Sequence, residues 1–129
     1  MSTEKLWAVR VARHTDRLEE VVAFYRDGLG LPELGRFDGH AGYSGVFLDL
    51  PGTGTHLELT SGGEHGAAPP HPEDLLVLYL GDWAAVRAAA ARAGVPPVAP
   101  ANPYWLEHGL TLEDPESRRV VLVAERGPG

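Results

Sequence analysis

The apolar residues at the start of the chain change from strict alternation to helical spacing. Residues 6–12 place three apolar side chains on one face and Arg10 on the other, which predicts a β-strand. The following apolar positions recur at the spacing of an amphipathic helix of about three turns: Leu18, Val21, Val22, Tyr25 and Leu29. Asp16 is suitably placed to cap this helix, and Gly28 and Gly30 are expected to end it.

Turn residues and a hairpin pattern come next. The stretch 32–42 is rich in turn-forming residues, and the apolar runs 45–50 and 56–60 are separated by Pro51-Gly52-Thr53-Gly54. This pattern predicts a turn-rich segment followed by two antiparallel strands. Gly and Pro then dominate residues 61–74, which predicts a linker.

The pattern restarts after the linker. Residues 75–80 predict a strand, and residues 83–93 predict a helix with Asp82 as its N-cap and Gly94 at its end. A Pro-rich loop and two more predicted strands complete this half: 109–112 and 119–123.

The order strand, helix, turn-rich segment and hairpin therefore occurs twice, in residues 6–60 and 75–125. Two similar halves pack around a shared axis with a cleft between them, although short α+β chains also show this order by coincidence. The expected fold is a single α+β domain over residues 1–129.

Composition narrows the possible partners. A chain of 129 residues is about one domain, and its formal net charge of -7 with scattered cations argues against nucleic acid. There is no cysteine, so disulfides and thiolate metal sites are excluded. The N-terminus lacks the apolar run of a signal peptide and no stretch is long enough for a membrane span. We expect a cytoplasmic protein that does not bind membranes.

Three segments together carry a resemblance to a known superfamily. Residues 11–31 contain a helix that ends in Phe-Tyr followed by Leu-Gly-Leu, residues 56–60 match a module-ending strand, and residues 112–122 match a closing Asp-Pro turn and strand. The chain resembles the glyoxalase/bleomycin-resistance group, also called the vicinal oxygen chelate superfamily. Residues 27–31 and 102–105 are similar to a branch of it that has no established activity.

This resemblance implies two βαβββ modules that form a curled mixed sheet around a cavity. Enzymes of the superfamily hold a divalent metal there with four side chains, and those positions fall on Arg10, Glu58, Leu75 and Val121. Only Glu58 can bind a metal, because Arg presents only donors and Leu and Val offer no lone pair. We therefore expect no metal and no cofactor.

His56 and Glu58 are two residues apart on one predicted strand and share a face. They are candidates for a general base with its orienting group, or for a shifted metal site completed by a loop histidine: His40, His65, His71 or His108. In the implied geometry Arg10 lies opposite Glu58 and takes the place of the metal, with Arg119 as a second candidate partner. Alternatively, either arginine simply reaches solvent.

Four aromatic residues lie in the turn-rich segments that overhang the implied cavity: Phe37, Tyr43, Tyr104 and Trp105. Rings around an open sheet suit a flat, mostly apolar ligand. They could equally fill the cavity as core or face a partner subunit. Trp7 and Trp83 are expected in the core.

The favoured function is a metal-free small-molecule-binding protein of the bleomycin-resistance type, which sequesters a flat aromatic compound such as an antibiotic. Its candidate ligand-binding residues are Arg10, Phe37, His40, Tyr43, His56, Glu58, Tyr104, Trp105 and Arg119. One alternative is a lyase, isomerase or dioxygenase that uses His56 and Glu58, with or without a divalent metal. Another is an interaction domain without a ligand. The resemblance also implies a homodimer.

Overall fold

The first half of the chain forms a four-stranded sheet in the computed structural model, which describes residues 4–128. The strands run in the order β1-β4-β3-β2, with β1 parallel to β4 and the other pairs antiparallel. Their bounds are β1 Val9–His14, β2 Glu33–His40, β3 Tyr43–Leu50 and β4 Thr55–Gly62. Leu57 and Leu59 are buried on one face of β4, so the alternating His56 and Glu58 lie on the other face.

A helix covers the buried face of this sheet. It begins as α1, Leu18–Val22, and continues as a π-helical turn, Ala23–Gly28. The expected Asp16 cap is wrong, because no side chain caps α1. The Thr15 hydroxyl accepts the Arg17 N–H instead, and the Asp16 carboxylate accepts the N–H of Ala67.

The second half forms a three-stranded sheet in the order β5-β7-β6. Its elements are β5 Leu75–Tyr79, α2 Trp83–Ala93, a 3-10 helix Pro103–Leu106, β6 Gly109–Glu113 and β7 Arg119–Val123. Helix α2 has the expected ends: Asp82 accepts the Ala85 N–H at 2.8 Å, and Gly94 adopts a φ of 71°. No helix within residues 4–128 is long and apolar enough to cross a membrane.

The expected α+β fold with two related modules is confirmed, but the first turn-rich segment is a strand, and the second module has three strands where the implied βαβββ pattern has four. Residues 33–40 form β2, because irregularities in its pairing with β3 accommodate the glycines within the strand. The equivalent segment of the second half makes only an isolated bridge between Val98 and Thr111. Prolines at 96, 97 and 100 lack the N–H groups that a longer ladder needs. The two sheets remain separate ladders.

Both halves share one apolar core on the helix side of the sheets. The π-helical turn crosses α2 closely at Gly28, where a Cβ atom would approach Ala93 Cα to 3.0 Å. The Arg92 Nε also donates to the Gly28 carbonyl at 3.3 Å. A side chain at residue 28 would therefore push the helices of the two modules apart.

A buried polar cluster joins the two modules beside this crossing. The Tyr25 hydroxyl donates to Asp114 Oδ2 at 2.7 Å and accepts from Arg13 Nη1 at 3.0 Å. Asp114 Oδ1 accepts two backbone N–H groups of its own turn, as expected for a turn former. Glu116 Oε1 accepts from the Thr15 hydroxyl at 2.6 Å. Burial, followed by the charge of Asp114, raises the pKa of Tyr25 far above its usual range, so the hydroxyl remains a donor.

Two expected core residues lie at the surface. Trp7 is 86% exposed, and Val9 and Val11 on the same face of β1 are also exposed, because the helix packs against β4 and leaves this edge strand largely uncovered. Trp83 is 36% exposed at the first position of α2, with the Arg87 guanidinium over its ring.

Replacing Tyr25 with Phe should lower the free energy of unfolding by about 1–3 kcal/mol, because Asp114 Oδ2 then loses its donor inside the protein. Urea unfolding measures this change. Tyr104 is largely exposed, so Tyr104→Phe should change stability by less than about 0.5 kcal/mol. Equal effects of the two substitutions would contradict a structural role for the buried hydrogen bond.

Candidate functional site

Arg10, His56 and Glu58 meet on the open face of the first sheet, opposite the helix. The parallel register sets Arg10 beside His56, and the Arg10 Nε donates to His56 Nε2 at 3.2 Å. Arg10 Nη1 lies 3.8 Å from Glu58 Oε2. The guanidinium carbon lies 4.8 Å from the centroid of the Phe47 ring, within the range of a cation–π contact. One cation thus contacts a base, a carboxylate and an aromatic ring.

The hydrogen bond from Arg10 fixes the state of His56. Arginine nitrogens only donate, so His56 Nε2 must accept, and the proton of the neutral ring is assigned to Nδ1. Water reaches the neighbouring ion pair from one side, since the side chain of Arg10 is 53% exposed and that of Glu58 is 14% exposed. The expected pairing of Arg10 with Glu58 is present, and it is a partly solvent-exposed ion pair.

An aromatic row continues from this cluster across the sheet. The ring centroid of Phe47 lies 5.9 Å from that of Phe37 and 6.1 Å from that of His56. The Phe37 ring occupies the space above Gly45, where a Cβ atom would come within 2.5 Å of it. Glycine at residue 45 therefore allows the Phe37 ring to pack directly against the backbone of the sheet.

Phe47 was not among the candidate residues predicted from the sequence, although the sequence contains a signal for its position beside Glu58. It pairs directly with Glu58 across the β3–β4 hairpin, and counting back from the Pro51–Gly54 turn gives this register. Alternation then assigns Phe47 to the same face as Glu58.

A second cluster occupies the far end of the same face. His14 Nδ1 bonds to Thr60 Oγ1 at 2.9 Å, and His14 Nε2 bonds to the His65 carbonyl at 2.8 Å, which ties the linker to the sheet. The Tyr43 ring meets His14 edge-on at 6.2 Å. His40 pairs with Tyr43 beside the β2–β3 turn and is exposed. These candidate residues lie at the opposite end of the strands from Arg10.

The remaining candidates belong to the second module. Arg119 Nε bonds to Glu113 at 3.3 Å and its Nη1 bonds to the Ala99 carbonyl, so it does not pair with Glu58. The Tyr104 ring stacks on His108 at 4.2 Å and meets Trp105 edge-on at 5.0 Å. His108 Nδ1 in turn bonds to Glu125 at 2.6 Å.

The four positions implied by the superfamily therefore divide between the sheets. Arg10 and Glu58 lie together, whereas Leu75 and Val121 lie on β5 and β7. Val121 is only 1% exposed and lies outside the main core cluster, on the face away from Val120 and Leu122. Val121, one of the positions that the resemblance implies should face the cavity, is therefore covered.

The residues at the implied metal position do not fit a metal ion. Arg10 already occupies the lone pair of His56 Nε2 and places a positive charge beside Glu58. Across residues 4–128, no three His, Asp or Glu side chains come together as a ligand set. A cation introduced beside Glu58 would be repelled by the guanidinium.

Two family models match the chain, the YycE-like N-terminal domain over residues 9–60 and the YycE-like C-terminal domain over residues 73–124. The YycE protein of Bacillus subtilis is 40% identical over 123 residues, covering 92% of this chain and 88% of YycE. The chain belongs to the YycE-like family. The crystal structure of B. subtilis YycE, described as a protein of unknown function and a candidate glyoxalase/fosfomycin resistance protein, has 37% identity and a TM-score of 0.88. That match covers 95% of this chain and 93% of the other.

More distant structures confirm the superfamily fold for this YycE-like chain. Glyoxalase I of Leishmania major has a TM-score of 0.70 at 21% identity, with 95% of this chain and 88% of the enzyme covered. TnmS3, an antibiotic binding protein from Streptomyces sp. CB03234, has a TM-score of 0.65 at 22% identity, with 95% and 97% covered. The fold is therefore that of the glyoxalase/bleomycin-resistance superfamily, as the resemblance implied, and it is shared by an enzyme and a binding protein.

A double-mutant cycle on Arg10→Met and Glu58→Gln should give a coupling energy of about 0.2–1 kcal/mol, because water screens the pair. Urea unfolding of the wild type, both single variants and the double variant supplies the four free energies. Simple additivity would reject the pairing. A coupling above about 3 kcal/mol would instead indicate a pair that is shielded from water.

Proposed function

We propose that this YycE-like protein binds a flat, largely hydrophobic aromatic compound, such as an antibiotic, in the cytoplasm and sequesters it without a metal. The observation that carries the proposal is the Arg10 guanidinium, which sits over Phe47 and beside Glu58 where enzymes of the superfamily hold their metal. The site keeps a positive charge but cannot coordinate an oxygen atom.

The aromatic row supports a flat ligand. Phe37 and Phe47 are only partly buried on the open face, so part of each ring is available for contact. Covering apolar surface contributes about 25 cal/mol per Å², and stacked or edge-to-face rings add to this. Arg10 and His56 then supply polar contacts that orient the bound compound.

We propose that a second copy of the chain completes the site as a homodimer. Strands β1 and β5 each pair on one side only, so each leaves a free edge. An apolar groove of about 480 Å³ lies between Leu50 at the end of the first sheet and Leu76 and Leu78 of β5. Leu6 and Trp7 protrude beside β1 and are largely exposed, so they suit this groove in the other copy. The partner would also bring a second sheet, with Tyr104 and Trp105, near Arg10.

One observation favours an enzyme as the second candidate. His56 and Glu58 lie side by side on β4, as a base and its orienting carboxylate would. A lyase, isomerase or dioxygenase of the superfamily would use this pair. One manganese, iron, nickel or zinc ion per purified chain would support its metal-dependent form, and turnover lost in His56→Gln would support its metal-free form.

The binding proposal predicts quenching of tryptophan fluorescence by planar polycyclic antibiotics, with each compound recovered unchanged by mass spectrometry. Phe47→Leu should weaken binding about tenfold by removing one ring of the platform. Trp105→Ala should also weaken binding, whereas Trp83→Ala should not, because that tryptophan lies on α2 away from both open faces. Turnover that depends on His56 or Glu58 would contradict the proposal, as would a panel without a binder.

The dimer proposal predicts that sedimentation at micromolar concentration gives twice the mass of the chain. Trp7→Ser should shift the equilibrium towards monomer, because the exposed indole is the main apolar group offered to the groove. Trp83→Ser provides the matched control, since it removes a partly exposed tryptophan elsewhere. A monomeric wild-type protein would contradict the dimer.

A further inference from the structure

Glu58 has an unused capacity to accept hydrogen bonds. Its side chain is only 14% exposed, and its ion-pair partner, Arg10 Nη1, is 3.8 Å away, beyond hydrogen-bonding distance. Within residues 4–128 the carboxylate receives no hydrogen bond. Water reaches this carboxylate from one side, and an N–H or O–H group of a ligand that took the place of water there would form a charge-assisted hydrogen bond.

Arg10 has the complementary capacity to donate. The guanidinium carries five N–H groups, and its one hydrogen bond to the described residues leaves from Nε towards His56. Among residues 4–128 the terminal nitrogens make no hydrogen bond, although Nη1 forms the ion pair with Glu58, and the side chain is half exposed. An unused donor group and an unused acceptor group thus lie next to each other beside the Phe47 ring.

This juxtaposition selects against a charged ligand group. A carboxylate on the ligand would be attracted by Arg10 and repelled by Glu58, and an ammonium group would experience the reverse. A neutral edge with a donor next to an acceptor satisfies both residues without repulsion from either.

We infer that the bound compound presents such an edge to Arg10 and Glu58, with an N–H or O–H group beside a carbonyl oxygen. A carboxamide or a hydroxyl group next to a ketone has this pattern. The donor bonds to Glu58, the carbonyl accepts from Arg10, and the adjoining ring lies along Phe37 and the edge of Phe47 that Arg10 does not cover. This inference rests on the proposed binding function and specifies the ligand's polar chemistry.

Three probes with one ring system test the inference by calorimetric titration at pH 7. They are 2-naphthamide, N,N-dimethyl-2-naphthamide, which has no donor, and 2-naphthoate, which is an anion. We expect 2-naphthamide to bind about tenfold more tightly than either of the others, since one well-formed hydrogen bond to a charged group is worth about this factor.

The variant Glu58→Gln tests the role of the carboxylate. This substitution should reduce the ratio of the 2-naphthamide affinity to the affinities of the other two probes. It should strengthen binding of 2-naphthoate several-fold, because Arg10 no longer has an acidic neighbour. Glu73→Gln is the matched control, since Glu73 is an exposed residue of the linker. Equal affinities for the three probes, or the same preference in Glu58→Gln, would overturn the inference and leave the proposed function standing. If none of the three binds the wild-type protein while a planar antibiotic does, the inference fails and the proposed function stands, and if neither set binds, both fail.

Discussion

The buried hydrogen bond between Tyr25 and Asp114 is the constraint on which the arrangement of the two modules depends. It joins the π-helical turn of the first module to the β6–β7 turn of the second at 2.7 Å, and Arg13 extends it to β1. Neither partner can leave this contact without placing an unpaired polar group in the interior. The strand that carries Arg13 also carries Arg10, so the cluster that joins the modules fixes the strand from which the candidate site is built.

The shared core lies on the same side of both sheets, so only the opposite faces of the sheets can differ between the modules. Helix α1, its π-helical extension and α2 cover that side, which leaves the opposite faces to differ. On the second sheet Val121 and Val123 are buried, and the 3-10 helix Pro103–Leu106 packs beside β6. On the first sheet Arg10 and His56 remain accessible. The two modules share one pattern of elements, but the open face that carries Arg10, His56 and Phe47 belongs to the first.

Much of this arrangement could be predicted from the sequence where a local signal was strong. Asp82 and Gly94 mark the ends of α2 through hydrogen bonds and backbone geometry that need no tertiary context. Alternation put His56 and Glu58 on one face. Phe37 was placed in a turn because glycine and proline signals cannot distinguish a turn from a bulged strand. Trp7 was placed in the core because alternation gives the face of a residue but not the extent of the helix that covers it. The ion pair of Arg10 with Glu58 was expected only through the family resemblance, because it depends on the parallel register of β1 with β4, which the residue pattern alone does not give.

Arginine in place of a metal ligand changes the chemistry that this face can perform. A metal ion polarises a bound oxygen and lowers the pKa of bound water, whereas a guanidinium stays protonated and can only donate hydrogen bonds. Its contact with His56 restricts the site further, since His56 Nε2 could take a proton from a substrate only after releasing the Arg10 Nε. Glu58 lies next to the same positive charge and can accept hydrogen bonds there. The contacts among Arg10, His56 and Glu58 thus leave hydrogen-bond donors and a carboxylate on this face, and they occupy the lone pair that a base or a metal ligand would need.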